Sequence, residues 1–336
     1  MVVFLLIAFK FPVFLLEGAI HNIRELHGVV PPMITPFSDD DSVDLGAMET
    51  EARFLKTTGV QGIVVGGSTG EGAGLTELEL YEAVRVVIQS TDGILPVLGG
   101  VIADTSEEAI RLGLAAKRAG ACGLQVPPPH FQYVTSDEIL SRYYQDITDA
   151  TGLPLIIYNV VPWAQVAIAS LKRLCSENPL IIGVKQSGYN IHALAELLSN
   201  LKGKVKFFSA IDDLIYPSFV LGVDGTISGT SSLFPKETLE MLRCVQSGNL
   251  EQALELHNRI LPVWRCIEGP GFPGQIKYAM SLLGRSTGKP RAPFNWPSTQ
   301  IAERIERELH AGGFLASSGG ILEHHKPPGQ PVSTSI

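Results

Sequence analysis

The chain predicts an α/β fold, a (β/α)8 barrel with additional C-terminal helices. Three observations predict it. Short apolar segments recur along the sequence, amphipathic stretches of helical length alternate with them, and eight such repeats fit within 336 residues. Strict strand–helix alternation implies a parallel sheet, and eight repeats imply that it closes. A doubly wound open sheet is the alternative arrangement of the same elements.

The strand candidates, in order, are Gly28–Val30, Gly62–Gly66, Pro96–Gly100, Gly123–Val126, Leu155–Tyr158, Ile181–Lys185, Val205–Ser209 and Gly225–Ser228. Each is short, apolar and rich in β-branched or aromatic residues, as strands buried on both faces are. Glu77–Gln89, Ser106–Arg118 and Ile139–Ala150 carry helical periodicity between them. Capping boxes are predicted at Thr76 with Glu79, Thr105 with Glu108, and Thr135 with Glu138. Beyond the eighth strand, Leu250–Cys266, Gly274–Leu283 and Thr299–His310 are helical in pattern and are expected to pack on the barrel. The expected organisation is an N-terminal extension at 1–25, a barrel at 26–230, the last barrel helix and a helical region at 231–315, and a Ser-, Gly- and Pro-rich disordered tail at 316–336. His324 and His325 fall in that tail and are not expected to bind metal.

Composition narrows the function. Hydrophobic residues make up 45% and charged residues 18%, which suits extensive buried strand and a subunit interface. A net charge of -8 is the wrong sign for a nucleic-acid footprint. Cys122, Cys175, Cys244 and Cys266 form no CxxC pair, so reduced thiols and a cytoplasmic location are expected. The apolar run Met1–Phe9 is shorter than the ~20 residues that span a bilayer, and no basic segment precedes it. It is expected to be an extension or a misplaced start rather than an export signal, and no membrane partner is expected.

In such a barrel, chemistry sits at the C-terminal ends of the strands. Lys185 closes the apolar run Leu180–Val184 at one of those ends. Burial lowers an ammonium pKa, and a neutral amine is a nucleophile towards carbonyls. Alternation places Ile181, Gly183 and Lys185 on one face, with Gly183 leaving room for an inward side chain. The plainer alternative is a lysine that snorkels to water. Tyr158 ends the neighbouring strand, where a phenol can relay protons to a carbinolamine on Lys185. Gly66-Gly67-Ser68-Thr69-Gly70 offers unobstructed amides and two hydroxyls to an anion such as a carboxylate. The same run matches the G-x-S-x-G elbow of serine hydrolases, with Asp212 or Asp224 and His257 following in hydrolase order. Against that reading, the next helix signal begins only at Thr76, and His257 lies in a helical pattern. Asp212 and Asp213 end the seventh strand and are placed either to cap the following helix or to accept hydrogen bonds from substrate hydroxyls. His130 follows three prolines in a loop and is a candidate substrate-binding residue, the plainer alternative being a loop residue alone. No HxH or HExxH spacing supports a metal, and no cofactor is expected.

Taken together, these motifs resemble the dihydrodipicolinate synthase and N-acetylneuraminate lyase family over about Leu26–Leu315. The resemblance rests on Gly28-Val29-Val30-Pro31-Pro32-Met33-Ile34-Thr35-Pro36-Phe37, Gly67-Ser68-Thr69-Gly70-Glu71, Tyr158-Asn159 and Gly183-Val184-Lys185. It implies a barrel enzyme, usually a homotetramer, that holds pyruvate as a Schiff base. By that resemblance Lys185 is the Schiff-base lysine and Tyr158 the proton shuttle. Ser68 and Thr69, on the loop opened by Gly67, bind the pyruvate carboxylate, and Ile227 lines the site through its backbone. The chain departs from the synthases at Pro128-Pro129-His130-Phe131, where they carry paired tyrosines. It departs again at Val160–Gln165, where they carry an arginine for the semialdehyde carboxylate. Gln186-Ser187 and Asp212-Asp213 are more similar to the sugar-acid lyases, although their hydroxyl-binding serine aligns with Gly229. Trp163 and Phe131 suit an apolar acceptor instead, and Arg142, Arg265 or Arg291 are within reach of the site in principle.

The expectation is therefore a cofactor-free aldolase or lyase acting on a 2-oxo acid and an aldehyde. A hydroxylated sugar-acid substrate is the first choice and dihydrodipicolinate synthesis the second; a non-catalytic oxo-acid-binding paralogue is the alternative of another class. A homo-oligomer, tetramer or dimer, is expected.

Overall fold

A computed structural model describes residues 23–131, 135–187 and 190–315. The eight predicted strands are present and all parallel: β1 (Gly28–Val29), β2 (Ile63–Val65), β3 (Val97–Gly100), β4 (Gly123–Val126), β5 (Leu155–Asn159), β6 (Ile181–Gln186), β7 (Lys206–Ser209) and β8 (Gly225–Thr226). Each pairs with its sequence neighbour from β2 to β8, and β8 pairs back with β1. The remaining seam, between β1 and β2, is closed by a parallel bridge at Pro32 and Val64. Three hydrogen bonds stitch it: Gln61 N to Val29 O (2.9 Å), Val64 N to Pro31 O (3.0 Å) and Met33 N to Val64 O (2.9 Å). Pro31 and Pro32 have no N–H to give, which is why no regular ladder forms there.

Around the sheet run α1 (Leu45–Thr58), α2 (Glu77–Ser90), α3 (Ser106–Ala119), α4 (Asp137–Thr151), α5 (Ile168–Glu177), α6 (Ile191–Leu201), α7 (Ile215–Leu221), α8 (Gly229–Leu233) and α9 (Pro235–Gln246). Three more helices, α10 (Leu250–Ile267), α11 (Phe272–Leu282) and α12 (Thr299–Ala311), follow as expected. Thr76 and Glu79 form the reciprocal capping box predicted for α2. Thr105 accepts from Glu108 N at the start of α3. The third start differs: Ser136, not Thr135, accepts from Ile139 N, because α4 begins one residue later than the Thr135–Glu138 pattern places it.

Two apolar layers hold the barrel. The inner one contains Val30, Val64, Leu98, Ile156, Phe208 and Ile227, one residue each from six different strands or their extensions. Ile23 and Leu26 belong to the same cluster and plug its lower end. The described chain therefore joins the barrel at Ile23, three residues before the expected boundary. The expected tail at 316–336 lies outside the described residues. The outer layer packs the strands' other faces against the helices.

Strand β6 departs from the expected alternation. Leu155 pairs with Ile181, but the next residue of β5, Ile156, pairs with Gly183, so Ile182 has no partner there. Ile181 packs in the outer layer and Ile182 in the inner one. Ile181 and Lys185 thus do not share a face by simple alternation; a one-residue bulge resets the phase and turns Lys185 inward.

Close backbone approach limits the β1–β8 junction. A Cβ on Gly225 would lie 1.9 Å from Gly28 O. Gly225→Ala should therefore cost about 2–3 kcal/mol, the scale of forced overpacking, read as a lower urea midpoint. A midpoint equal to the parent's would show that the junction relaxes freely.

Candidate active site

The C-terminal ends of the strands open into a cavity of about 340 Å³. Lys185 rises into it from β6, only 3% exposed. Its register partner on β5 is Tyr158, and the Lys185 Nζ lies 3.6 Å from the centre of the phenol ring. Burial pushes the Lys185 ammonium down to about 7, while the negative charge of Asp212 pulls it back up. Burial pushes the Tyr158 phenol up to about 12, against a hydrogen bond with the Ser68 side chain that lowers it. At neutral pH the pair is thus a partly deprotonated amine beside a protonated phenol.

Ser68 and Thr69 face these two residues from the turn after β2. The turn is tight: Gly70 N and Gly72 N both donate to Gly67 O, at 2.9 and 3.0 Å. Gly66 occupies the left-handed region (φ 77), and a Cβ on Gly72 would fall 1.7 Å from Gly66 O. Gly67 therefore shapes the loop from behind; the hydroxyls of Ser68 and Thr69 are what the cavity meets.

Asp212 and Asp213 open a 3-10 turn after β7. Asp212 Oδ1 accepts from Thr230 N at 2.6 Å. Burial pushes the Asp212 carboxyl up to about 6, opposed first by that hydrogen bond and then by the attraction of Lys185. Asp213 is bound by Arg265 Nη2 at 2.7 Å, and Arg265 Nη1 holds Glu268 at 2.8 Å. Ser187, just after β6, donates to Ala210 O at 3.2 Å and lines the cavity, as does Ile227.

His130 is placed elsewhere. Its amide and that of Phe131 donate to Asp104 Oδ1 at 2.5 and 2.9 Å, and its carbonyl accepts from Trp163 Nε1 at 2.8 Å. It ties three loops together and does not line the cavity. His257 lies within α10, its ring 5.9 Å from that of Tyr216, and is likewise not part of the cavity wall. Ser68 starts a 3-10 turn rather than an α-helix. The hydrolase constellation is therefore not assembled.

The far wall was not foreseen. Trp264 from α10 and Phe272 from α11 meet edge to face, ring centres 5.8 Å apart, and line the cavity with Glu268. A Cβ on Gly229 would sit 2.6 Å from Trp264 Cη2, so the indole occupies the space a side chain would need there. These residues follow no local motif; only the docking of the C-terminal helices brings them in. Among the described residues, no group of three or more His, Cys, Asp or Glu side chains is placed to hold a metal. No helix among them is long and apolar enough to cross a membrane.

A desolvated amine beside a phenol at the mouth of a barrel accords with the class I, pyruvate-dependent aldolases, which are lyases, and the chain is a member of that class. Within that class the chain is a member of the Dihydrodipicolinate synthetase family, whose model it matches over residues 25–312. It is 29% identical over 299 residues to the 4-hydroxy-tetrahydrodipicolinate synthase of Methanopyrus kandleri, covering 88% of this chain and 99% of that one. It is 30% identical over 290 residues to the enzyme of the same name from Methanocaldococcus jannaschii, covering 86% and 99%. Among solved structures, dihydrodipicolinate synthase from Acinetobacter baumannii complexed with pyruvate is similar, with TM-score 0.81, 27% identity, and 86% and 99% of the two chains covered. So is a prophage protein of E. coli K12 from the same family, also in complex with pyruvate, with TM-score 0.81, 26% identity, and 86% and 99% covered.

The electrostatics of Lys185 make a pH dependence. With the ammonium near 7, the fraction of free amine falls as pH drops through that value, so kcat/KM for pyruvate should have an acid limb there. Asp212→Asn removes the charge that favours the ammonium while keeping an oxygen for Thr230 N. The limb should then move to lower pH. A shift to higher pH, or none, would mean that Asp212 does not govern the amine.

Proposed function

We propose that the protein joins pyruvate to a neutral, hydroxylated aldehyde, or releases both from the corresponding 2-oxo acid. Lys185 Nζ adds to the pyruvate ketone, and loss of water leaves an imine. Tyr158 carries the protons of these steps. Loss of a methyl proton gives an enamine, whose carbon attacks the aldehyde; water then frees the product and the amine. Cleavage runs the same steps backwards. Ser68 and Thr69 are proposed to hold the pyruvate carboxylate. The two pyruvate complexes among the similar structures support this half of the reading.

One observation carries the choice of acceptor. Among the described residues lining the cavity, Lys185 is the sole lysine or arginine, whereas Asp212, Asp213 and Glu268 are all present. A carboxylate-bearing acceptor in a desolvated site needs a charge partner, usually a bidentate arginine. Neither Ala164 nor Gln165 supplies one where the synthases carry theirs. Arg265 stands behind the wall, engaged by Asp213 and Glu268. Acceptor hydroxyls, by contrast, find Asp212, Ser187 and Ser228 in the lining. The names of the curated relatives favour the second reading, condensation of pyruvate with aspartate semialdehyde to 4-hydroxy-tetrahydrodipicolinate.

Borohydride added with pyruvate should reduce the imine, inactivate the enzyme and leave a carboxyethyl group on the peptide that carries Lys185. An adduct on a different lysine, or no adduct, would remove the mechanism.

The acceptor is decided by comparing kcat/KM for aspartate semialdehyde with that for neutral hydroxyaldehydes, pyruvate being saturating. The neutral class should be favoured by about tenfold or more, the equivalent of one missing charge-assisted contact. A clear preference for aspartate semialdehyde would establish the second reading and leave the role of Lys185 intact.

A further inference from the structure

A second buried lysine, Lys277, takes no part in the chemistry above. It lies in α11, outside the barrel, with no exposed surface. All three ammonium protons meet an oxygen: Glu71 Oε1 at 2.6 Å, Thr35 O at 2.7 Å and Lys289 O at 2.7 Å. The other oxygen of Glu71 accepts from Arg291 N at 3.0 Å. Glu71 is the residue directly after the Ser68–Gly70 turn and is held at φ 53, a conformation non-glycine residues seldom adopt. Thr35, which binds the ammonium through its carbonyl, also donates its hydroxyl to Gly70 O at 2.7 Å. The turn is thus suspended at two successive residues, Gly70 and Glu71, from one ammonium and its neighbour. The stretch between Gly67 and Gly72 is closed by its own amides, so a displacement of Glu71 has no slack to absorb it before Ser68 and Thr69.

We propose that the Glu71–Lys277 ion pair is a positioning device, by which the C-terminal helices hold Ser68 and Thr69 in the geometry that grips the pyruvate carboxylate. The proposal rests on the reading of Ser68 and Thr69 as the carboxylate cradle. It gives the ion pair a task beyond stability, which on its own is a weak expectation for a buried pair. Its signature is an effect on pyruvate affinity at nearly constant turnover, since neither residue touches the reacting atoms.

The test uses the full-length enzyme and four substitutions. Glu71→Gln keeps the shape of the side chain and removes its charge. It should raise the pyruvate KM about tenfold, the scale of one hydrogen bond to a charged group. The borohydride trapping rate at saturating pyruvate should stay within about twofold of the parent, as for a change confined to binding. Adding Lys277→Met to that variant should recover part of the lost stability without recovering the KM, because no lone charge is left buried but the turn is still released. Thr35→Val serves if Glu71→Gln does not fold. It removes only the Gly70 tether and should raise the pyruvate KM by a smaller factor at unchanged kcat. An unchanged KM in the variants that fold, or a KM that moves only in step with kcat and the unfolding midpoint, overturns the proposal. Ser68→Ala separates the two layers of the argument. If it leaves the pyruvate KM unchanged, the cradle itself is misassigned. If it raises the KM and Glu71→Gln does not, the cradle stands and the positioning role falls.

Discussion

Lys185 and Tyr158 are register partners on adjacent strands, and the ammonium rests on the face of the phenol ring. With Lys185 only 3% exposed, the mouth of the barrel keeps that ammonium from water. Burial disfavours its charge, and the phenol offers it a ring face and a weak partner rather than a full counter-ion. Asp212, in the turn after the neighbouring strand β7, returns part of the lost stability, and the amine titrates near neutrality. A closer carboxylate would favour the cation further, and the loss of Asp212 would favour the neutral amine. The bulge at Ile182 is the backbone expression of the same requirement, since without it the lysine would point among the helices.

How much of this could be read in the sequence divides along physical lines. Strands and helices announce themselves through local periodicity, and all eight strands emerged within a residue or two of their apolar runs. Lys185 was conspicuous because a charge closing a β-branched run is costly wherever it lands. The bulge was invisible because its signal, an unpaired Ile182, exists only relative to β5. The Thr135 cap failed for a smaller reason: Thr135 and Ser136 are both competent N-caps, and local pattern does not rank neighbours. His130 looked like a site residue by loop position, but the loop's hydrogen bonds to Asp104 and Trp163 spend it on tying loops together. Trp264, Glu268 and Phe272 could not be placed at all before α10 and α11 were docked.

Those helices are more than an appendage. Arg285, after α11, pairs with the buried Glu51 of α1 and donates to Ser232 O at 2.7 Å and Leu233 O at 3.0 Å, fastening α8 and the segment after α11 to the start of the barrel. Lys277 does the same for the loop after β2. Two charges from one short region thus reach the first two repeats of the fold, and the aromatic pair Trp264–Phe272 reaches the eighth. The barrel supplies a ring of strands; the aromatic wall of the cavity and the anchorage of the loop after β2 are both set from outside that ring.

The seam between β1 and β2 gives the barrel a direction of failure. Every other junction is a ladder, whereas this one is a bridge and a few stitches interrupted by two prolines. Thermal excitation of the closed sheet therefore has an obvious place to begin, and amide protons at Gln61, Val64 and Met33 would exchange with solvent ahead of those on β5 and β6. Because Lys185 lies on the opposite side of the ring, such breathing leaves the amine dry. The prolines that weaken the closure are thus set far from the one residue that could not tolerate a leak.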